Sequence, residues 1–206
     1  MTLRNKNATF SRAESLAFCG LSIALLTVSA WITIPLGPVP FTLQTMMLVF
    51  VVLLFPPREA LTSVFGYLVL GALGVPVFSG MKGGMATLLG STGGFILGFG
   101  LGTIAAVLIL KVWKAPTAAS ADDARSSKTQ HAKGAVREYV AAFVLLVISY
   151  ICGWIQLILV ADMTPLAAFL AGIAPFIVID IVKVFVGASL ARAIRHAVPA
   201  LSTHTV

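Results

Sequence analysis

The sequence predicts an all-α integral membrane protein, a single transmembrane domain of six helices occupying residues 1–206. Three observations predict it: an excess of apolar residues, six separate apolar runs, and a one-sided distribution of basic charge. Hydrophobic residues make up 59% of the chain and charged residues 10%, with a mean hydropathy of +1.02. A water-soluble domain carries about 25% charged residues, so this surface suits hydrocarbon. The 206 residues fit one bundle rather than several domains.

The apolar runs place spans at 16–34, 41–55, 60–74, 94–113, 138–160 and 175–195. Crossing a hydrocarbon core of about 30 Å takes about 20 helical residues, which the first, fourth, fifth and sixth runs approach. The second and third are shorter. Flanking segments buried against protein must complete them, because lipid-exposed irregular backbone leaves peptide groups unpaired. Val28-Ser29-Ala30 has the small-residue pattern of a signal-peptidase site. The run continues past it through Trp31, Ile32 and Ile34, and cleavage would leave an odd number of spans, so the first run is read as retained.

Basic residues set the orientation. With a cytoplasmic N-terminus and six crossings, Arg4, Lys6, Arg12, Arg58, the six between Lys111 and Arg137, Arg192 and Arg195 all fall on the cytoplasmic side. Lys82 alone falls outside, and Lys183 lies within the last span. That asymmetry is the one the positive-inside rule expects. It predicts a multi-pass protein of a bacterial inner (plasma) membrane with both termini cytoplasmic, and it explains the net charge of +7 without a nucleic-acid partner.

The connections divide by composition. Residues 1–15 form a cytoplasmic N-terminal segment and 196–206 a cytoplasmic tail. Residues 115–136, rich in Ala, Ser, Asp and Lys, read as a mobile cytoplasmic loop. Pro56-Pro57-Arg58-Glu59 reads as a tight cytoplasmic turn. The outer loops, Pro35 to Gln44 and Gly74 to Gly84, are rich in glycine and proline yet keep Phe41, Phe78 and Met81. Loops of that kind fold back as a lid over a bundle, glycine permitting tight turns and close approach to a ligand. Between the last two long spans, Thr164 can cap a helix whose first turn holds Pro165. Residues 165–172 are too short to span and read as an interfacial helix, with Pro175 opening the sixth span.

Asp180 and Lys183 are the most informative pair. Three apart, they share a helix face, and each charge costs about 2.5–3.5 kcal/mol near the bilayer centre. They read either as an ion pair locking the last helix or as a pocket floor, with Lys183 attracting an anionic substrate group and Asp180 orienting the lysine or accepting from a substrate N–H. Gln44, beside Thr42 and Thr45, offers an amide donor and acceptor, or else a helix cap. Tyr150, Trp154 and Gln156 on the fifth span could form an aromatic wall with polar tips; for Trp154, as for Trp31, interfacial anchoring competes. Phe78 and Gly80 are the substrate candidates of the third loop.

Two stripes of small residues permit close helix approach. Gly90, Gly94, Gly98 and Gly102 recur every fourth residue before and along the fourth span. Ala13, Ala17, Gly20 and Ala24 line one face of the first, for internal packing or for a partner. Cys19 and Cys152 sit in apolar runs and read as packing thiols. There is no Gly-x-x-x-x-Gly-Lys-Ser/Thr segment for nucleotide hydrolysis. His131, His196 and His204 fall in polar stretches, and no cluster has metal-ligand spacing; neither a metal nor another cofactor is expected.

The sequence resembles the biotin-binding S components of energy-coupling factor (ECF) transporters, the BioY family, from about residue 16 to 195. The resemblance rests on Pro38-Val39-Pro40-Phe41-Thr42-Leu43-Gln44-Thr45, Gly74-Val75-Pro76-Val77-Phe78-Ser79-Gly80, Gly90-Ser91-Thr92-Gly93-Gly94, and Pro175-Phe176 with Asp180-x-x-Lys183. It implies a six-helix S-component bundle that binds biotin near the outer face beneath the first and third loops. It implies partnership with a transmembrane coupling protein and ABC-type ATPases, docked through small residues on the first helix, and no catalysis by this chain. Ser91 stands where the family usually has proline, and Ile177-Val178-Ile179 replaces a Leu-Pro-Gly-like stretch. Biotin matches the residues chemically, with a carboxylate for Lys183, a ureido group for Gln44 or Asp180, and an apolar bicycle. The alternatives are another small vitamin on the same fold, or an intramembrane enzyme using Asp180 as a base.

Overall fold

The computed structural model describes residues 11–113 and 124–198, with backbone alone for 124–133. The first ten residues, most of the expected tail and the start of the expected 115–136 loop lie outside the described residues. The element order is α1 (Arg12–Trp31), β1 (Thr33–Ile34), β2 (Phe41–Thr42), α2 (Gln44–Leu54), α3 (Pro57–Ala72), a 3-10 turn (Ser79–Met81), α4 (Met85–Leu89), α5 (Gly93–Val112), α6 (Ala124–Val160), α7 (Pro165–Gly172) and α8 (Ile177–Ala197). β1 and β2 pair antiparallel, Thr33 opposite Thr42 and Ile34 opposite Phe41.

The helix ends follow local chemistry. α1 opens on a capping box, Ser11 Oγ accepting from the Glu14 N–H at 3.2 Å while Glu14 Oε2 accepts from the Ser11 N–H at 2.8 Å. α7 has the expected bounds, with Thr164 Oγ1 accepting from the Ala167 N–H at 3.3 Å and Pro165 in the first turn. α8 opens at Ile177 rather than Pro175, which lies in the turn before it. α6 begins at Ala124, inside the segment read as a loop.

Charged groups secure the end of the bundle formed by Trp113, Arg137 and Arg195. The Arg137 guanidinium is buried and donates to the carbonyls of Leu110 (3.4 Å) and Trp113 (3.1 Å). It thereby serves carbonyl groups that the last turn of α5 leaves without helical partners. Glu138 Oε1 lies 2.7 Å from Arg195 Nη2, tying α6 to α8.

Among the described residues, three helices, α1, α5 and the part of α6 from Gly134, are each long and apolar enough to cross a bilayer; α7 and α8, bent by 47° at their break, make a fourth candidate. The protein is a multi-pass membrane protein. The other two expected spans correspond to α2 and α3, with 11 and 16 residues, and at 1.5 Å per residue they reach only about 17 and 24 Å. α2 is short because it is sheathed rather than lipid-facing: every residue from Leu48 to Phe55 is buried. Its closest neighbour is α8, where a β-carbon on Gly187 would sit 2.5 Å from the Met46 carbonyl oxygen.

α5 packs on α6 along the glycine stripe. A β-carbon at Gly98 would sit 2.6 Å from Ser149 Cα, and one at Gly102 2.8 Å from the Leu145 carbonyl oxygen; Gly94 meets the Cys152 carbonyl. Gly90 does not share this face, because it ends α4 before α5 begins. A separate face of α5 exposes Leu97, Leu101, Ile104 and Leu108, a surface fit for acyl chains. On α1, by contrast, Gly20 has nothing within 4 Å of a β-carbon position. Gly98→Ala should therefore destabilise the detergent-solubilised protein by about 1–3 kcal/mol through overpacking, while Gly20→Ala, where alanine has room and the better helix propensity, does not lower the unfolding temperature. Equal unfolding temperatures for the two variants would rule out backbone contact along the α5–α6 seam.

Candidate binding site

One cavity of about 600 Å³ opens at the end of the bundle covered by the two glycine- and proline-rich loops. Its rim includes Trp31, Met81 and Lys82, all exposed, and its floor includes Asp180 and Lys183, both buried. Val39, Phe41, Phe95, Ile96, Phe99 and Phe176 supply much of the apolar wall.

The floor is a network built from three elements. Lys183 Nζ donates to Asp180 Oδ1 at 2.6 Å and to the Thr42 carbonyl at 2.7 Å, and lies 3.8 Å from the centroid of the Phe41 ring. The Tyr150 hydroxyl, from α6, donates to Asp180 Oδ2 at 2.6 Å. Asp180 sits in the first turn of α8, where the helix dipole favours a carboxylate. Each charge thus meets an opposite charge, a hydrogen bond and a helix end or aromatic face, as burial demands. Lys183 also fastens the β1–β2 hairpin to α8 through Thr42.

The lid is tied as firmly. Gln44 Nε2 donates to the Tyr67 hydroxyl at 2.8 Å, which in turn donates to the Val77 carbonyl at 2.9 Å. Phe78, fully buried, packs edge-on against Tyr67 with centroids 5.4 Å apart. The Phe78 N–H donates to the Lys82 carbonyl at 2.9 Å, closing a turn in which Gly80 and Met81 have φ of 68° and 58°. A positive φ is strained for Met81 and easy for Gly80. The Trp31 indole donates to the Pro76 carbonyl at 2.9 Å, and the Thr33 and Ser79 hydroxyls lie 3.1 Å apart, so both loops hang from the end of α1.

Of the residues singled out from sequence, Asp180, Lys183, Gln44, Thr42, Phe78, Gly80 and Tyr150 line this cavity. Trp154 does not. Its indole N–H points away to the Pro165 carbonyl at 2.9 Å and joins α6 to α7. Gln156 donates to the Leu88 and Gly90 carbonyls and secures the α4–α5 turn instead. Ala13, Ala17, Gly20 and Ala24 are all exposed along the outer face of α1, remote from the cavity lining. Tyr67 was not anticipated; its signal is a phenol within an otherwise apolar run, which must find partners once buried. Chemically, the cavity can hold a small molecule with an apolar body and a cluster of amide-like polar groups.

The BioY family model matches residues 4–200. The chain belongs to the BioY family. It is 35% identical over 172 residues to a probable biotin transporter BioY of Pyrococcus horikoshii, covering 84% of this chain and 90% of that one. It is 30% identical over 191 residues to the biotin transporter BioY2 of Lactococcus lactis subsp. cremoris, covering 90% and 94%. Its fold is that of a crystallised S component for biotin from an ECF-type ABC transporter, with a TM-score of 0.75, 22% identity, and coverage of 91% of this chain and 95% of that chain. The all-α S-component architecture expected of a BioY protein is therefore the observed one.

The floor of this BioY site carries a stability signature. Removing one member of a buried ion pair strands the other, at about 3–5 kcal/mol. Lys183→Met should lower the unfolding temperature in detergent sharply. Combining it with Asp180→Asn should restore part of the loss, since no charge is then left unpaired. A double variant no more stable than the worse single one would show that the two residues are not coupled.

Proposed function

We propose that this chain is the substrate-binding subunit of a vitamin uptake transporter and that its substrate is biotin. The observation that carries the reading is the buried Asp180–Lys183–Tyr150 network at the base of an otherwise apolar cavity beneath a tied lid. Biotin's fused bicycle suits the Phe and Val wall. Its ureido group has two N–H donors and one carbonyl. Asp180 keeps lone pairs to accept from the donors, and Lys183 has three ammonium protons, two of them engaged, leaving one for the carbonyl. Gln44, Thr42, Phe78 and Gly80 complete the substrate shell. The names of the relatives support transport over the enzyme reading of Asp180, and biotin over another vitamin.

Titration of the purified protein with biotin tests this. The wild type should bind tightly, and Lys183→Ala should lose roughly 2 kcal/mol or more through a missing charge-assisted contact. Wild-type protein that fails to bind biotin would sink the reading, and unchanged affinity in folded Lys183→Ala protein would remove Lys183 from the site.

The proposed engine is a transmembrane coupling protein with ABC-type ATPases, in the inner membrane with both termini of this chain cytoplasmic. Exposure of Ala13, Ala17, Gly20 and Ala24 on α1 supports docking there, because close packing drives helix association in lipid. Ala17→Leu or Gly20→Leu should leave biotin binding intact while abolishing uptake and co-purification of the coupling protein. Normal uptake by both variants would move the docking face elsewhere.

A further inference from the structure

We infer that Lys82, at the rim of the cavity, takes the substrate's carboxylate, so that biotin enters the floor with its ureido end and leaves its acid at the mouth. The inference rests on the cavity being a biotin site and assigns the orientation within it. Among the described residues, three charged ones line the cavity, Lys82, Asp180 and Lys183. Asp180 and Lys183 neutralise one another at 2.6 Å. The surplus positive charge therefore belongs to Lys82, which is exposed and forms no ion pair with any described residue. A substrate with a single carboxylate supplies the one negative charge that balances it.

The floor is the wrong place for that carboxylate. There it would share Lys183 with Asp180, two like charges about one ammonium apart, in surroundings that screen them poorly. A neutral urea meets no such opposition. Lys82, by contrast, is held on a fixed turn: its carbonyl accepts from the Phe78 N–H at 2.9 Å, after Gly80 and Met81 in left-handed backbone. Non-glycine residues in that region are uncommon and concentrate at ligand clamps. The turn fixes the main chain while the ammonium at the mouth stays free to meet an incoming anion.

Ligand chemistry separates this from a merely structural role. Affinities of biotin and of its neutral methyl ester are measured for wild type, Lys82→Ala and Lys82→Arg. Wild type should prefer biotin by about five-fold, the size of a partly exposed ion pair, and the preference should shrink at high salt. Lys82→Ala should lose that factor for biotin alone and bind the ester as wild type does, while Lys82→Arg keeps the preference. If Lys82→Ala binds biotin unchanged, or weakens biotin and ester equally, Lys82 does not hold the carboxylate. If wild type binds neither ligand, the biotin reading fails and this orientation with it. If wild type binds both equally at low salt, the site is retained and the orientation is wrong.

Discussion

The architecture depends on one constraint: a lysine and an aspartate inside an apolar helix must not be left unpaired. The cost of each charge in hydrocarbon is offset only by a set of partners that arrives from separate parts of the chain. Asp180 and Lys183 come from α8, Tyr150 from α6, and the Thr42 carbonyl and the Phe41 ring from the β1–β2 hairpin. Assembling the pair therefore assembles the cavity. The same contacts that make the charges tolerable bring α6, α8 and the hairpin to one point, and leave acceptor and donor capacity facing the opening.

Packing without bulk makes that convergence possible. α5 and α6 touch backbone to backbone at Gly94, Gly98 and Gly102, and α8 meets α2 at Gly187. These seams leave α2 enclosed, so a helix of 11 residues can sit in a bilayer whose thickness it does not match. At the other end of the bundle, Arg137 serves the carbonyls that end α5, and Glu138 joins Arg195. Both ends of the molecule thus use buried charge to fix helix termini, and under the loops those charges form the floor of the cavity of about 600 Å³.

Much of this was legible in the sequence, for physical reasons. The long apolar runs became α1, α5, α6 and α8 because lipid leaves a backbone no alternative to the helix. Asp180 and Lys183 stood out because charge is rare in such runs, and Thr164-Pro165 because capping is local. What escaped was whatever depends on which way a side chain turns. Trp154 and Tyr150 lie four apart on α6, yet the indole reaches the Pro165 carbonyl and the phenol reaches Asp180. Gln156 serves a turn, a role set by where α4 ends. The early start of α6 was hidden by polar composition, which distinguishes solvated from buried residues but not helix from coil. The β1–β2 pairing is too short to leave a periodic signal, and Tyr67 gave only the bare presence of a hydroxyl.

The proposed docking face and the lid over the cavity meet on α1. It is one unbroken helix of 20 residues, about 30 Å long. Its first half presents the exposed small residues Ala13, Ala17 and Gly20. Its far end carries both halves of the lid, the first loop by direct continuation into β1, the third through Trp31 to Pro76 and Thr33 to Ser79. A packed helix shifts as a unit, because close-packed interiors transmit displacement rather than absorb it. A displacement of α1 is therefore passed to both loops over the cavity, and through the Thr42 carbonyl and the Phe41 ring it reaches Lys183 at the floor as well. Rim and floor are thus held by different helices, α1 at the mouth and α6 with α8 at the base, and the Lys183–Thr42 hydrogen bond joins the two.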